Sequence, residues 1–214
     1  MKPKAIIFDC WNTLFHVNPK PDPLNRLARA IFHSRLTYRY LKSFERTLML
    51  APHDDMNAMA KAILRNSRIP ALPSLVHQVE RSLEIPLEKQ QPFEETLEIL
   101  PDLQQDYKLG LITNTYSLAF IKLDSKYKLG QYFDFILPSY QAGLLKPDPK
   151  IFKLMLKKLG VAAEEALMVG DSLRDDVQGA EAVGIRGILV DRRGRYPRHK
   201  SRVTSLREVK KLLQ

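Results

Sequence analysis

Short, largely apolar runs recur along the chain at 5–8, 109–112, 133–137 (interrupted by Asp134), 167–169 and 187–190. Each is too short for a helix and lacks polar alternation, the pattern of a strand buried on both faces. Between them, apolar positions fall at helical spacing over 93–103, 117–127, 149–159, 175–183 and 205–213. Gly160 and Gly184 stand just past two of these helices as stop signals, and Ser205 with Glu208 three residues on reads as a capping box. Strands alternating with helices predict an α/β fold, a parallel sheet covered on both faces. Residues 16–91 have a different pattern. Prolines at 19, 21 and 23 make an extended entry, and Leu27, Ile31, Leu36, Leu41, Phe44 and Leu48 predict helix over 24–51. Pro52 ends it, Asp54 or Asp55 can cap a helix at 56–66, and Pro70 and Pro73 precede another at 75–83. With no convincing strand in this stretch, the chain divides into a core of 1–15 plus 92–214 and a helical insert of 16–91.

Composition narrows the class without naming a chemistry. A chain of 214 residues with 44% hydrophobic and 27% charged residues suits a globular core with a smaller insert. No apolar run approaches the ~18–20 residues of a membrane span. The opening MKPKAIIFDC is basic then apolar, but its apolar stretch is far below the ~7–15 residues of a leader's hydrophobic region. It is expected to be the first strand, and the protein cytoplasmic, in keeping with its single cysteine, Cys10. The formal charge is +10, and ten Lys/Arg against Asp191 and Glu208 place +8 of it within 186–214. The densest piece, RRGRYPRHKSR at 192–202, has one aromatic, Tyr196, and no nucleic-acid motif around it. It is read as a solvated loop that raises the field around an anionic substrate, not as a nucleic-acid patch.

In open parallel sheets the site lies beyond the carboxyl ends of the strands. That rule selects four places. Asp9 ends the first apolar run and can cap, attack or bind metal. Thr113 and Asn114 follow the second, where a hydroxyl and an amide can donate to an anion or simply make a turn. Lys146, between Leu145 and Pro147 in GLLKPDPKIF, can neutralise a carboxylate or phosphate. Asp171, in MVGDSLRDDVQGAEAVG, is followed by Asp175 and Asp176, with Gly179 and Ala180 small enough for close helix packing. Acids clustered at a strand end with no His or Cys partner suit a hard, oxygen-seeking cation such as Mg²⁺. Cys10 points opposite to Asp9 along a strand and is expected in the core. The five histidines show no metal-ligand spacing.

FDCWNT, TN, the KPDP lysine and GDSLRDD, in this order, resemble the four motifs of the haloacid dehalogenase (HAD) superfamily. The resemblance covers 4–15 and about 92–193. It implies a Rossmann-like core with residues 16–91 as a helical cap. It implies that Asp9 is the nucleophile that forms an aspartyl intermediate, that Thr113 binds the transferring phosphoryl group with Asn114 beside it, and that Lys146 holds Asp9 ionised. Thr13 would bond within the turn that aims Asp9. Mg²⁺ would be held by Asp9, the backbone carbonyl of Trp11 and Asp171, with Asp176 behind a water and Asp175 as the alternative at that position.

Trp11 departs from the pattern. The superfamily's phosphatases usually have an aspartate here as general acid and base, a role worth ~10²–10⁴ in rate that indole cannot fill. The L-2-haloacid dehalogenase branch usually has an aromatic, tyrosine, at this position, needs no metal, and grips its substrate with an arginine from the start of the cap. Arg26, Arg29, Arg35 and Arg39 are candidates for that grip. Asp171 points the other way, because the dehalogenases usually lack it. The metal-binding acids outweigh the missing acid, so the chain is expected to be a Mg²⁺-dependent phosphatase of small phosphomonoesters. A metal-independent 2-haloacid dehalogenase or a weakly active relative is the alternative. In the phosphatase, Trp11 would wall one side of the substrate pocket in place of supplying an acid. The sequence assigns no oligomeric state.

Overall fold

The computed structural model describes residues 2–17 and 46–213. The predicted helix at 24–51, apart from its last turn, and Arg26, Arg29, Arg35 and Arg39 lie outside the described residues. No helix among those described is long and apolar enough to cross a membrane.

Eight strands and eight α-helices are named in chain order. They are β1 Ala5–Phe8, β2 Phe15–Val17, α1 Met56–Asn66, α2 Pro73–Glu88, β3 Gln90–Pro92, α3 Thr96–Gln104, β4 Lys108–Thr113 and α4 Ser117–Tyr127. β5 Phe135–Pro138, α5 Ser139–Ala142, α6 Pro149–Leu159 and β6 Ala166–Gly170 come next. α7 Gly179–Glu181, β7 Arg186–Val190, β8 Arg202–Val203 and α8 Leu206–Leu213 complete the chain. Six strands form one parallel sheet in the order β5-β4-β1-β6-β7-β8. This is the Rossmann-like α/β arrangement expected. The chain steps from β1 outward to β4 and β5, then returns to place β6 on the other side of β1. The crevice at such a reversal opens at the carboxyl end of β1.

Alternation along β1 feeds two layers. Ile6, Phe8 and Cys10 pack with Leu100, Phe120, Leu206 and Val209 from α3, α4 and α8. Ala5 and Ile7 pack with Ile151, Phe152 and Met155 from α6 and with Ala180. Cys10 is fully buried in the first layer, as expected, and burial and the nearby Asp9 push its thiol upward. A third cluster joins Leu48, Met59, Ile63, Val79 and Leu83 to Tyr116 and Ala119 of α4. The helices of the insert therefore rest on the N-terminal half of α4.

Several elements differ from expectation. The insert is bracketed by a short antiparallel pair, Phe15–Val17 with Gln90–Pro92, three residues a strand and too short to show a period. The helix expected at 175–183 is a π-helical turn, Leu173–Gln178, followed by α7. The Ser172 carbonyl accepts from both Asp176 N and Val177 N, which widens the turn. At the start of α8 the Glu208 carboxylate accepts from Thr204 N–H and hydroxyl in addition to the Ser205 backbone. Gly179 approaches the Lys146 loop more closely than the sheet, because a Cβ there would stand 2.9 Å from Pro147 Cβ and 3.0 Å from Phe152.

Candidate active site

β1 runs directly into Asp9, whose N–H donates to Val169 O of β6 at 2.9 Å and so continues the ladder past the named strand. The next residues turn sharply. Leu14 N and Phe15 N both donate to Cys10 O, and Asn12 adopts a left-handed φ of 62°. Asp9 is thereby held at the tip of the central strand with 6% of its surface exposed.

Lys146 approaches Asp9 from the loop before α6. Its Nζ donates to Asp9 Oδ1 at 2.6 Å, Asp176 Oδ1 at 2.6 Å and Ile112 O at 3.1 Å. Those bonds use all three ammonium hydrogens. Asn114 fixes the loop, its Oδ1 accepting from Lys146 N at 2.9 Å and its Nδ2 donating to Lys146 O at 3.0 Å. The sequence placed Asn114 beside an anion; the bonds it makes among the described residues are this grip on the lysine's backbone. Asp176 receives Lys146 on one oxygen and Ser172 N–H on the other, at 2.9 Å. Gly170 makes room for this, since a Cβ at 170 would overlap the Asp176 side chain.

Asp9, Asp171 and Asp176 each offer an oxygen within 4.8 Å of the others. Asp175 is not in that group; its N–H donates to Ser172 Oγ at 3.1 Å, and its Oδ1 is buried without a partner. Three carboxylates face one ammonium. Burial pushes Asp9 up from 3.8 to about 7; Lys146 opposes the rise, while Asp176 and Asp171 add to it. For Lys146, burial opposes the charge, but Asp176 and Asp9 more than offset it and hold the ammonium above the ordinary lysine value. Asp9 Oδ2 is buried with no hydrogen-bond partner. An excess of acid around an orphaned carboxylate oxygen suits a divalent cation, so the residues present can hold a metal.

Two hydroxyls remain. Thr113 Oγ1, at the end of β4, is buried with only the weakly bonding Cys10 thiol beside it, and Thr13 Oγ1 is buried without a partner. The bond expected from the Thr13 side chain within its turn is therefore not made among the described residues. Its carbonyl is held instead, by Arg192 Nη2 at 2.8 Å. Trp11 is half-buried and packs against both the sheet core and the cluster of α1 and α2.

Sequence reasoning missed the part played by 191–202. The segment is not simply a solvated loop. Arg192 bonds Glu95 at 2.8 Å and stacks on Phe93 with 3.6 Å from the guanidinium carbon to the ring centroid. Arg195 reaches Asp171. The signal was Asp191, directly after β7 at the same sheet edge as the four selected places.

The family model for haloacid dehalogenase-like hydrolases matches residues 3–184. The chain belongs to this family. Among curated relatives of this HAD-like hydrolase is a phosphoserine phosphatase of Thermus thermophilus, 44% identical over 86 residues, which are 38% of this chain and 34% of the relative. The match thus spans about a third of that relative's length. A HAD phosphatase from Thermococcus onnurineus superposes with a TM-score of 0.65 at 26% identity, over 98% of this chain and 97% of the other. A 2-haloacid dehalogenase from Pseudomonas syringae does so with 0.66 at 22% identity, over 99% and 98%, a likeness of fold.

Proposed function

We propose that this HAD-like hydrolase is a Mg²⁺-dependent phosphatase of small phosphomonoesters that forms an aspartyl intermediate on Asp9. The observation that carries the reading is Asp9 itself. One oxygen is fixed by Lys146, the other is buried and unpartnered, and the carboxylate is grouped with Asp171 and Asp176. A general cap or ion-pair role would not leave that second oxygen bare. The phosphatase names of relatives support the same choice.

In this reading an Asp9 oxygen attacks phosphorus and the ester oxygen departs. Lys146 orients the carboxylate and offsets the charge it carries. Thr113 and Thr13 offer their hydroxyls to phosphoryl oxygens. Asp9, Asp171 and the Trp11 carbonyl would hold Mg²⁺, with Asp176 behind, and the cation would supply the charge that lets carboxylate and phosphate approach. Asp175, outside the acidic group, is left for the turn. Trp11 transfers no proton, so the leaving group must be a good one or take its proton from water or the substrate. The indole, seated between the sheet core and α1–α2, forms the pocket's wall, and residues 16–91 act as a cap over a core of 1–15 and 92–214. The buried, unpaired Cys10 supports a cytoplasmic setting.

Trp11 also favours a second reading, a 2-haloacid dehalogenase, since an aromatic stands where a phosphatase has its acid. Hydrolysis of an aryl phosphate and of L-2-chloropropionate, each with Mg²⁺ and with EDTA, separates the two. The expected outcome is phosphate release that needs Mg²⁺ and is abolished in Asp9→Asn. Chloride release that survives EDTA would overturn the phosphatase reading.

A further inference from the structure

We propose that Arg195 selects substrates carrying a second anionic group, a carboxylate or another phosphate, close to the phosphoryl group. The proposal rests on the phosphatase reading for the position of the phosphoryl group at Asp9, but not for the arginine's own geometry.

The loop after β7 is built to deliver one side chain. Asp191 has a fully buried carboxylate. Its Oδ1 accepts Arg195 N–H and its Oδ2 accepts Tyr196 N–H, both at 2.8 Å. Arg202 lies 3.6 Å from the same Oδ2, and Asp191 N–H donates to Val203 O at 2.8 Å. The backbone at Arg195 is therefore anchored to the sheet through a carboxylate that water does not reach. The guanidinium is held less firmly, its carbon 5.8 Å from the centroid of the Tyr196 ring. Its Nη2 stands 3.7 Å from Asp171 Oδ2, beyond hydrogen-bond length, and 53% of the side chain is exposed.

Arg192 shows what a structural arginine looks like in the same loop. It makes two 2.8 Å bonds, stacks on Phe93 and leaves 16% of its side chain exposed. Arg195 has an anchored base and a head in loose contact, the arrangement of a residue that can change partners at little cost.

Asp171 is the partner it stands to lose. Asp171 belongs to the acidic group suited to a cation. When that carboxylate faces a cation, the guanidinium needs another anion. The nearest one arriving is the substrate. Asp9, Asp171 and Asp176 outnumber the one buried ammonium, Lys146. A divalent cation offsets that excess and leaves a phosphate dianion to be matched by other cations. A planar guanidinium at the lip of the site recognises a carboxylate or phosphate bidentately. Specificity would then come partly from the core, through a loop distant in sequence from the insert.

The test is equilibrium binding by calorimetry, with Mg²⁺ present, of methylphosphonate and phosphonoacetate to the wild type, Arg195→Ala and Arg195→Lys. These phosphonates need no turnover and differ in the added carboxylate. The wild type is expected to prefer phosphonoacetate by roughly tenfold or more. Arg195→Ala is expected to bring the ratio near one, and Arg195→Lys to keep part of it. No preference in the wild type, or the same preference in Arg195→Ala, overturns the proposal. So does an equal loss of both ligands in the variant, which would make Arg195 a general support of the site. Phosphate release from an aryl phosphate without an Arg195-dependent preference would sink this proposal alone; the preference without phosphate release from the aryl phosphate or 2-phosphoglycolate would sink the phosphatase reading and leave Arg195 a binding residue for the second anion.

Discussion

Asp9 meets two opposing demands. A nucleophile must be ionised, yet this carboxyl is buried beside two other acids, which with burial push it up to about 7. Asp9→Asn keeps the shape and the acceptor for Lys146, and its amide can donate towards Asp171. At pH 8 and without metal, the variant is expected to be more stable than the wild type by about 1–2 kcal/mol, since it relieves like-charge repulsion. It should release neither phosphate nor chloride. Thermal unfolding in EDTA and product assays check the two halves separately. A drop in stability would mean that the three acids are not in conflict. Trp11 shows where single residues outrun the sequence. Its identity announced a missing acid. Its position between two hydrophobic clusters, which makes it a packing residue as well, depends on which helices come to rest on α4.

At the scale of elements, the site is assembled by short clamps at the strand ends. Asn114 ties the end of β4 to the loop before α6 through both backbone groups of Lys146. Asn114→Ala leaves that N–H and C=O without the side chain, at a cost of about 1–3 kcal/mol. Its turnover of an aryl phosphate should fall because the ammonium is no longer aimed. Asn114→Asp restores the acceptor but not the donor and should recover only part of the stability in urea melts. Gly170 is the second clamp. Gly170→Ala puts a methyl where Asp176 folds back, and overpacking of that kind costs about 1–3 kcal/mol. The expected mark of this variant is weakened Mg²⁺ binding beyond the loss of stability, measured by titration calorimetry. Elements with strong local signals were legible. α1 spans the predicted 56–66 with Asp55 as its cap, and α6 runs from Pro149 to Leu159 before a left-handed Gly160, as read. Those signals are carried by side chains within one turn. The π-helical turn was not legible, because its hydrogen-bond register leaves no mark on apolar spacing. Nor were β2, β3 and β8, two or three residues each, or the pairing of Arg192 with Glu95 across 97 positions.

Across the whole molecule, the convergence of β1, β4 and β6 links protons to folding, and with the proposed Mg²⁺ it would link the metal to both. Asp9 has an ordinary value of 3.8 and a folded value of about 7, so folding takes up a proton between those limits. A raised acid contributes stability that is fully present below 3.8 and is lost as pH rises through 7. The metal-free protein should therefore lose stability, on the order of a few kcal/mol, as pH is raised from about 4 to 8, and then level off. Mg²⁺ requires the ionised carboxylate, so its binding must expel that proton below pH 7 and is unopposed above it. The rise in melting temperature on adding Mg²⁺ should be small at pH 5 and large at pH 8, and binding at pH 6 should release protons into the buffer. In Asp9→Asn the descent between pH 5 and 8 should flatten, because the group that titrates is gone. A gain from Mg²⁺ equal at pH 5 and pH 8 in the wild type would show that the cation does not compete with the Asp9 proton, and the acidic group would then be a structural ion-pair network around Lys146 instead of a metal centre.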